Sequence, residues 1–356
     1  MMQDKSIQIK NIYYMLTYAF QTLKQNNFDE ISKEDFDNIQ DLFSAILAKG
    51  VAQQLKQGLY REYITRNEDL STLRGKIDIN GSIKLKMQKK QRLSCEYDEL
   101  SENNKFNQII KTTISLLLRQ TGVSQKHKQE LKKIVLFFDG VDEIDVLQIR
   151  WDMLKFQRNN QTYKMLLNIC YFVLNGLLYS DEKGIYKVAN FLDEQRMSSL
   201  YEKFILEYYK YHFKGILTAN STQIDWDYDE SQSIAIEFLP KMQSDIMLTH
   251  KESGKTLIID AKYYTHSMQT GQFNKKTFHS NNMYQIFTYV KNYDTKNDGS
   301  VSGMLLYAKT DEEVNPNGEF LMSGNKISVK SLDLNLDFSD ISLQLNKIVE
   351  STFNIY

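Results

Sequence analysis

An acid and a lysine stand two residues apart, at Asp260 and Lys262, in an otherwise apolar stretch of the chain. Alternate side chains of a β-strand share a face, so we expect both to point to the same side. A four-residue loop joins this stretch to a preceding strand predicted over Asp245–Thr249, which indicates a hairpin. In that register Asp245 lies opposite Asp260, and two carboxylates converge with an amine.

Two carboxylates this close repel each other unless a cation lies between them, and Mg²⁺ prefers oxygen ligands of this kind. The cluster therefore predicts a Mg²⁺ site for phosphodiester hydrolysis, with Lys262 stabilising charge in the transition state. An ordinary surface hairpin that carries an acid and a lysine explains the same tripeptide. The motif alone leaves both interpretations open.

Glu202 is a third candidate acid, on a helix predicted over Ser198–Phe213. It is a candidate metal ligand beside Asp245 and Asp260. The sequence from Ser199 to Glu202 also fits a capping box, in which the glutamate only binds a backbone N–H at the helix start. Both roles are compatible with the sequence.

Gln285 is the corresponding candidate on a second helix, predicted over Asn281–Asn292. Tyr289 follows it by four residues, so the two side chains share one helix face. That face either flanks the hairpin and contributes to catalysis or packs as an ordinary helix surface.

The C-terminal half must position these residues, and its pattern is that of an α/β domain with a mixed sheet. The strands are predicted over Thr222–Tyr228, Asp245–Thr249, Thr256–Tyr264 and Ser302–Ala308. The helix Asn281–Asn292 falls between the last two strands.

The N-terminal half is predicted to be α+β, with helices around a finger of β-hairpins. Apolar residues recur at helical spacing near both of its ends, whereas Tyr60–Cys95 is rich in Tyr, Ile and Thr and is interrupted by glycines. This finger holds the densest basic run of the chain, formed by Lys84, Lys86, Lys89, Lys90 and Arg92. Lysines that protect a hairpin edge from aggregation are the alternative explanation of that run.

Length and composition limit the class of protein. A chain of 356 residues accommodates two domains, and its formal charge of −1 restricts any contact with nucleic acid to local basic patches. The cysteines, Cys95 and Cys170, are far apart and predict neither a disulfide framework nor a zinc site. With no long apolar segment, we expect a protein of the reducing cytoplasm that does not enter membranes.

Several segments of the chain resemble the McrC family, the nuclease subunits of McrBC-type (type IV, 5-methylcytosine-specific) restriction systems. The resemblance runs nearly end to end. Its C-terminal segments are Pro240-Lys-Met-Gln-Ser-Asp245, Ile258-Ile-Asp260-Ala-Lys262-Tyr-Tyr264 and Phe278-His-Ser-Asn-Asn-Met-Tyr-Gln285. Its N-terminal segments are Asn11-Ile-Tyr-Tyr-Met-Leu16, Leu73-Arg-Gly-Lys-Ile77, Tyr97-Asp-Glu-Leu-Ser-Glu102 and Asn107-Gln-Ile-Ile-Lys111.

This resemblance implies a restriction-endonuclease-like domain of the PD-(D/E)xK type over residues 156–356. Asp245, Asp260 and Lys262 match its catalytic acid, acid and lysine, with Glu202 and Gln285 as accessory positions. Pro240 and Asp245 are separated in this chain, whereas the name of the superfamily places proline and acid side by side.

The resemblance also implies a partner, an McrB-like ring-forming AAA+ GTPase that binds GTP and moves along double-stranded, modified DNA. Residues 1–155 then dock to the ring, with a finger around residues 60–95 that enters its pore, Arg74 and Lys76 near the base of the finger, and a second McrC copy in the assembly. The nearest match to a phosphate loop, Ser253-Gly-Lys-Thr256, lacks the first glycine and joins two strands, so this chain has no nucleotide motor of its own.

Three hypotheses follow from the sequence. The first is a Mg²⁺-dependent DNA endonuclease that acts within a GTPase complex. The second is an adaptor that stimulates the motor while its nuclease half is inert. The third is a helix-rich DNA-binding module, which the nearly neutral charge disfavours.

Overall fold

The computed structural model describes residues 9–20, 36, 38–156, 161–178, 194–270 and 275–355. Contacts divide the chain into two compact units. The central unit is residues 38–178, and the sheet unit combines the chain before residue 38 with the chain after residue 178. This division differs from the predicted linear boundary after residue 155, because the first helix packs with the C-terminal half.

The central unit is built mainly from helices whose starts are capped by polar side chains. Asn104 accepts a hydrogen bond from Asn107 N, and Ser124 accepts one from His127 N, which satisfies free backbone N–H groups of the first turn. The helices are α2 (Ile39–Gln57), α4 (Lys105–Arg119), α5 (Gln125–Val135) and α6 (Gln161–Leu178). The prediction of helices around the finger is therefore confirmed.

The segment predicted to be the finger forms a three-stranded antiparallel sheet in the central unit. Strand β3 (Leu93–Ser101) lies in the middle, between β1 (Glu62–Leu70) and the short β2 (Lys76–Ile77). The prediction of paired strands is confirmed here.

The connection between β2 and β3 is a helix, α3 (Ile79–Met87), so the prediction of hairpins alone was wrong. Asp78 starts this helix by accepting a hydrogen bond from Gly81 N, and Leu85 buries its side chain. The basic run Lys84–Arg92 consequently occupies the end of a helix and the turn after it, and it does not protect a strand edge.

The sheet unit contains a six-stranded mixed sheet. Its order is β12–β13–β11–β8–β7–β4, with β11 parallel to β8 and β13 and the other neighbours antiparallel. The strands are β4 (Leu217–Asn220), β7 (Ile246–His250), β8 (Thr256–Lys262), β11 (Val301–Ala308), β12 (Gly318–Met322) and β13 (Asn325–Leu332). The predicted α/β pattern with a mixed sheet is confirmed.

Two short strand pairs lie outside this sheet: β5 (Gln223–Ile224) with β6 (Met242–Gln243), and β9 (Gln269–Thr270) with β10 (Lys276–Thr277). The strand predicted over Thr222–Tyr228 was therefore wrong beyond Ile224. The chain leaves the strand there because Trp226 turns inward and its Nε1 donates to Pro240 O at 2.7 Å, which closes a loop.

Helices cover the sheet. Helix α8 (Ser280–Tyr293) packs Ile286 and Val290 against Ile258 and Leu305 of the central strands. The residues of β8 that point to the other face, such as Leu257 and Ile259, are buried as well. Helix α7 (Glu194–His212) contacts β8, and α9 (Phe338–Phe353) contacts β13. No helix in the described ranges is both long and apolar enough to span a bilayer.

Helix α1 (Ile9–Phe20) belongs to the sheet unit through polar and aromatic contacts. The buried Asn11 amide donates to the carbonyl oxygens of Leu334 and Leu336, both at 2.7 Å. Tyr14 stacks on Phe338 with ring centroids 4.2 Å apart. These contacts join the first helix to the start of α9.

Two buried tyrosines of α7 provide a test of this packing. Tyr209 donates its hydroxyl to Leu345 O at 3.1 Å, whereas the buried Tyr201 hydroxyl has no hydrogen-bond partner among the described residues. Because an unpartnered buried hydroxyl costs about 1–3 kcal/mol, Tyr201→Phe should leave the free energy of unfolding unchanged or raise it. Tyr209→Phe, the matched control, should lower it by about 1 kcal/mol in urea unfolding. Equal losses would contradict the assignment.

Candidate functional site

The hairpin formed by β7 and β8 positions the two candidate acids. Ile246 pairs with Ile259, so the next position of the register places Asp245 opposite Asp260, as predicted. Ala261 N donates to Asp245 Oδ2 at 2.8 Å and fixes that carboxylate across the strands. The turn is also the predicted four-residue loop, because His250 N donates to Lys255 O.

Lys262 joins the acids on the same face of β8. Its Nζ lies 2.7 Å from Asp260 Oδ2, and only 1% of the Asp260 side chain is exposed. The same Nζ donates to Gln285 Oε1 of α8 at 3.2 Å. The strand therefore presents the acid and the lysine side by side, as its alternation predicted.

Burial and mutual repulsion hold these acids in an unfavourable electrostatic state. Burial, together with the charges of Asp260 and Glu202, raises the pKa of Asp245 to about 8. Burial also raises the pKa of Asp260, although the Lys262 ammonium opposes that rise. Burial alone would lower the pKa of Lys262, but the neighbouring carboxylates raise it overall. A further cation beside these carboxylates would stabilise their charged forms.

Glu202 lies within electrostatic reach of the same cluster. Helix α7 begins at Glu194, so Glu202 is beyond its first turn, and the capping-box interpretation was wrong. Ser198 Oγ donates to Glu202 Oε1 at 3.0 Å from the preceding turn. Burial raises the pKa of Glu202, Lys262 lowers it and Asp260 raises it. The residue is therefore available as an acid beside the site.

Gln285 faces the cluster from α8. Besides accepting from Lys262, its Nε2 donates to Tyr289 OH at 2.8 Å, so the predicted spacing of four residues does bring the two side chains together. Tyr289 is buried in the core beneath α8. This chain of contacts holds the Lys262 ammonium in one place.

A second polar chain, which the sequence did not single out, continues from the same face. Asn282 donates to Tyr307 OH at 2.8 Å and accepts from Tyr264 OH at 3.2 Å. Tyr307 lies beside Lys262 in the parallel register of β11, and burial raises its pKa to about 12. Alternation along the predicted strand places Tyr264 on the same face as Asp260 and Lys262, so the sequence could have indicated it. Tyr307 could not be found in this way, because it reaches the site only through the pairing of β8 with β11.

The acids suit a hard divalent cation. Mg²⁺ binds through one or two carboxylates while it keeps several waters and substrate phosphate oxygens, which Asp245 and Asp260 can satisfy. Asp260 Oδ2 is buried and accepts no well-aligned hydrogen bond within the described chain, although Lys262 lies close to it. No group of three acids, histidines or cysteines in the described ranges is already arranged around a metal, so Glu202 has to move to become a third ligand.

The predicted partner-binding residues all lie in the central unit. Arg74 places its guanidinium 3.9 Å from the centroid of the Tyr97 ring and 3.6 Å from Glu99, and both partners belong to the middle strand β3. Lys76 of β2 lies opposite Glu96 of β3 in the antiparallel register of the two strands. The basic side chains of the run, Lys84, Lys86, Lys89, Lys90 and Arg92, are exposed.

A family model for the McrBC 5-methylcytosine restriction system component matches residues 2–308. The chain belongs to the McrBC family. It is 28% identical over 355 residues to the type IV methyl-directed restriction enzyme EcoKMcrBC of Escherichia coli strain K12, covering 98% of this chain and 99% of that protein. This confirms the resemblance seen in the sequence.

A solved structure supports the fold of this McrBC-family chain. It is the half-complex from the tetradecameric assembly of Thermococcus gammatolerans McrB AAA+ hexamers with bound McrC. The alignment covers 96% of this chain and 76% of the other, with a TM-score of 0.52 and 18% sequence identity. At this identity the match shows a shared fold.

The electrostatic state of Asp245 predicts a pH-dependent stability. The pKa of Asp245 is about 8 in the folded protein and near 3.9 in an unfolded chain. Between these two pH values the unfolded chain loses its proton more readily, so the carboxyl destabilises the fold increasingly as pH rises from about 4 to about 8. Asp245→Asn removes the charge, and its amide oxygen can still accept from Ala261 N. The variant should melt a few degrees above the wild type at pH 8 and show almost no gain at pH 4.

Asp69→Asn is the control for this measurement, since Asp69 is exposed on β1 of the other unit. Melting temperatures followed by calorimetry across pH 4–9 provide the comparison. A pH-independent effect of Asp245→Asn would show that its carboxyl is not strained by burial and repulsion.

Proposed function

We propose that this chain is the endonuclease subunit of a GTP-dependent McrBC-like restriction complex and hydrolyses DNA phosphodiester bonds with Mg²⁺. The observation that carries the proposal is the convergence of Asp245, Asp260 and Lys262 at the open end of the β7–β8 hairpin, inside the mixed sheet. On this proposal the sheet unit is a PD-(D/E)xK nuclease domain, with the two aspartates and the lysine in its catalytic positions.

The side chains divide the chemistry among them. Asp245 and Asp260 would hold the ion, and Glu202 lies close enough to become a third ligand by moving its side chain. When bound, Mg²⁺ stabilises negative charge on the phosphate and lowers the pKa of an attacking water. Lys262 is directed by Asp260 and Gln285, and its ammonium stabilises the charge that develops on the phosphate oxygens.

The adaptor hypothesis gains no support from this geometry. Burying carboxylates side by side raises their pKa and costs stability, which a purely structural hairpin has no reason to retain. The intact lysine and its hydrogen bond to Gln285 would likewise have no role in an inert half. Strain of this kind is typical of functional sites.

The Thermococcus relative is seen bound to McrB AAA+ hexamers, and we infer a corresponding ring as the partner of this chain. GTP is then bound by that partner, which also selects the modified DNA. The central unit is the candidate docking part, with exposed lysines and with the exposed apolar residues Ile79, Ile83 and Met87 along α3. Such a helix can enter a ring and stimulate GTP hydrolysis there.

Asp260→Ala and Lys262→Ala are the direct tests of the catalytic assignment. Each should reduce cleavage of modified plasmid DNA by at least about a hundredfold, because Lys262 stabilises transition-state charge directly and Asp260 does so through the ion that it would hold. Binding of the AAA+ partner and its GTPase rate should stay unchanged, since docking is assigned to the other unit. The initial rate of plasmid cleavage measures the nuclease activity, and the initial rate of phosphate release measures the GTPase activity of the partner.

Lys255→Ala is the matched control. Lys255 is exposed just before β8, at the opposite end of that strand from Lys262, and its loss should leave cleavage intact. Normal cleavage by Asp260→Ala would refute the active site. Equal loss in the Lys255 variant would indicate an effect on folding instead.

Reversing charge on the finger tests the docking assignment. The triple substitution Lys86→Glu, Lys89→Glu and Lys90→Glu should lower the stimulated GTPase rate and the coupled DNA cleavage at least about tenfold, because it removes a basic surface that steers association. The isolated chain should keep its melting temperature, as all three side chains are exposed.

The control for that variant carries the same change of charge elsewhere in the central unit, at Lys128, Lys132 and Lys133 of α5. It should retain GTPase stimulation. If both triple variants stimulate the partner as the wild type does, the finger is not the docking element.

A further inference from the structure

A pocket of the sheet unit lies beside the candidate site and opens to solvent. Its volume is about 350 Å³. The segment after β8 and the start of α8 supply its walls. We name it the aromatic pocket, and it is lined by Tyr264, Thr265, His266, Gln269, His279, Asn281 and Asn282. The hydrolysis proposed above gives none of these side chains a role.

Two half-buried rings form one wall of the aromatic pocket. The centroids of the Tyr264 and His279 rings are 5.1 Å apart. Tyr264 OH donates to Asn282 Oδ1 at 3.2 Å. His279 Nε2 donates to His266 O at 3.1 Å, and the buried Tyr307 ring lies behind both rings, with centroids 6.0 Å and 6.3 Å away. A flat ligand that stacks here therefore meets rings that are already fixed, which lowers the entropy lost on binding.

The aromatic pocket begins one helical turn from the lysine of the candidate site. Lys262 Nζ donates to Gln285 of α8. Tyr264, two residues later, donates to Asn282 of the same helix. Gln285 and Asn282 are three positions apart, so they share one helix face and are separated by a rise of about 4.5 Å. This rise is close to the spacing of about 3.4 Å per nucleotide along one DNA strand, so a phosphate beside Lys262 has its own nucleotide next to the pocket.

The side chains of the aromatic pocket suit a nucleobase. Bases stack on tyrosine and histidine rings, and this stacking accepts any base because every base has a π-face. The amides of Asn281 and Gln269 are exposed at the rim, where an amide can both donate to and accept from the edge of a base. Among the described residues, no lysine or arginine lines the pocket, which favours a neutral base over a phosphate.

We propose that the aromatic pocket binds the nucleobase next to the cleaved phosphate, stacked on Tyr264 and His279. This inference rests on the proposed function, because Lys262 defines where the phosphate lies. A base inside a duplex is paired and stacked on both sides, so it reaches the pocket only after it leaves the helix. The preferred substrate is consequently DNA whose strands are separated at the point of cleavage.

Binding of single strands to the full chain tests the pocket, measured by fluorescence anisotropy at low salt. Asp260→Asn is the parent protein, and a chelator is present, so that no strand is cut. The parent should bind labelled oligothymidine more tightly than a strand of equal length that has sugars and phosphates but no bases. Adding Tyr264→Ala, or separately His279→Ala, should raise the dissociation constant for oligothymidine at least about tenfold, because each removes a stacking partner. Binding of the abasic strand should not change.

Two further variants separate stacking from damage to the fold. Tyr264→Phe keeps the ring and loses only the hydroxyl, so it should bind oligothymidine as the parent does. Tyr293→Ala is the matched control, because Tyr293 is an exposed tyrosine at the other end of α8, and it should have no effect. If the alanine variants of the pocket bind oligothymidine normally, or weaken on both strands alike, the rings do not stack on a base and the proposal is wrong.

A duplex with a central bubble of unpaired bases tests the substrate preference. The parent should bind it several-fold more tightly than a fully paired duplex of the same length, because an unpaired base leaves the helix at lower cost. Tyr264→Ala should remove that difference. Equal affinities for the two duplexes in the parent, or a parent that binds no single strand, would overturn the proposal.

These outcomes are distinguishable from those of the cleavage experiments, since no strand is cut. If the nuclease assignment fails, selective loss of oligothymidine binding in the pocket variants still shows that the pocket holds a base. If the pocket fails, the expected loss of cleavage in Asp260→Ala and Lys262→Ala is unaffected.

Discussion

The repulsion between Asp245 and Asp260 is the constraint on which the rest of the site depends. The hairpin of β7 and β8 fixes the two carboxylates opposite each other, and the surrounding core removes most of their water. Two buried charges of one sign persist together only with a cation nearby, and without one a carboxyl takes up a proton, as the raised pKa of Asp245 indicates. Lys262 provides one cation. Because the pKa of Asp245 stays raised beside it, a second, divalent cation would stabilise the two carboxylates further.

The helices on either side of the hairpin place further polar side chains around the two carboxylates. Helix α8 directs Gln285 at the lysine, and Tyr289 in turn holds Gln285, so the ammonium keeps its position without a flexible partner. Helix α7 brings a third acid, Glu202, within electrostatic reach. The sheet is covered by helices and thus gives these side chains a rigid base, which catalytic geometry requires.

Local pattern was enough to predict the hairpin, its register and the shared face of Asp260 and Lys262, because alternation and loop length are properties of neighbouring residues. It was not enough for contacts between distant segments. The parallel pairing of β8 with β11, which brings Tyr307 to the site, leaves no local signal. Neither do the hydrogen bonds from Asn11 of α1 to the segment before α9. Helix α3 was missed because its short, glycine-containing sequence resembles a turn, and only the cap at Asp78 and the burial of Leu85 favour the helix.

We propose that this site cuts DNA with a divalent ion when the chain works with an AAA+ GTPase partner. The most direct measurement is cleavage of methylated plasmid by the purified chain and its AAA+ partner with GTP, with either Mg²⁺ or a chelator present. We expect linear or nicked DNA only when Mg²⁺, GTP and both proteins are present. Intact plasmid under those conditions, or cleavage that persists in the chelator, would contradict it.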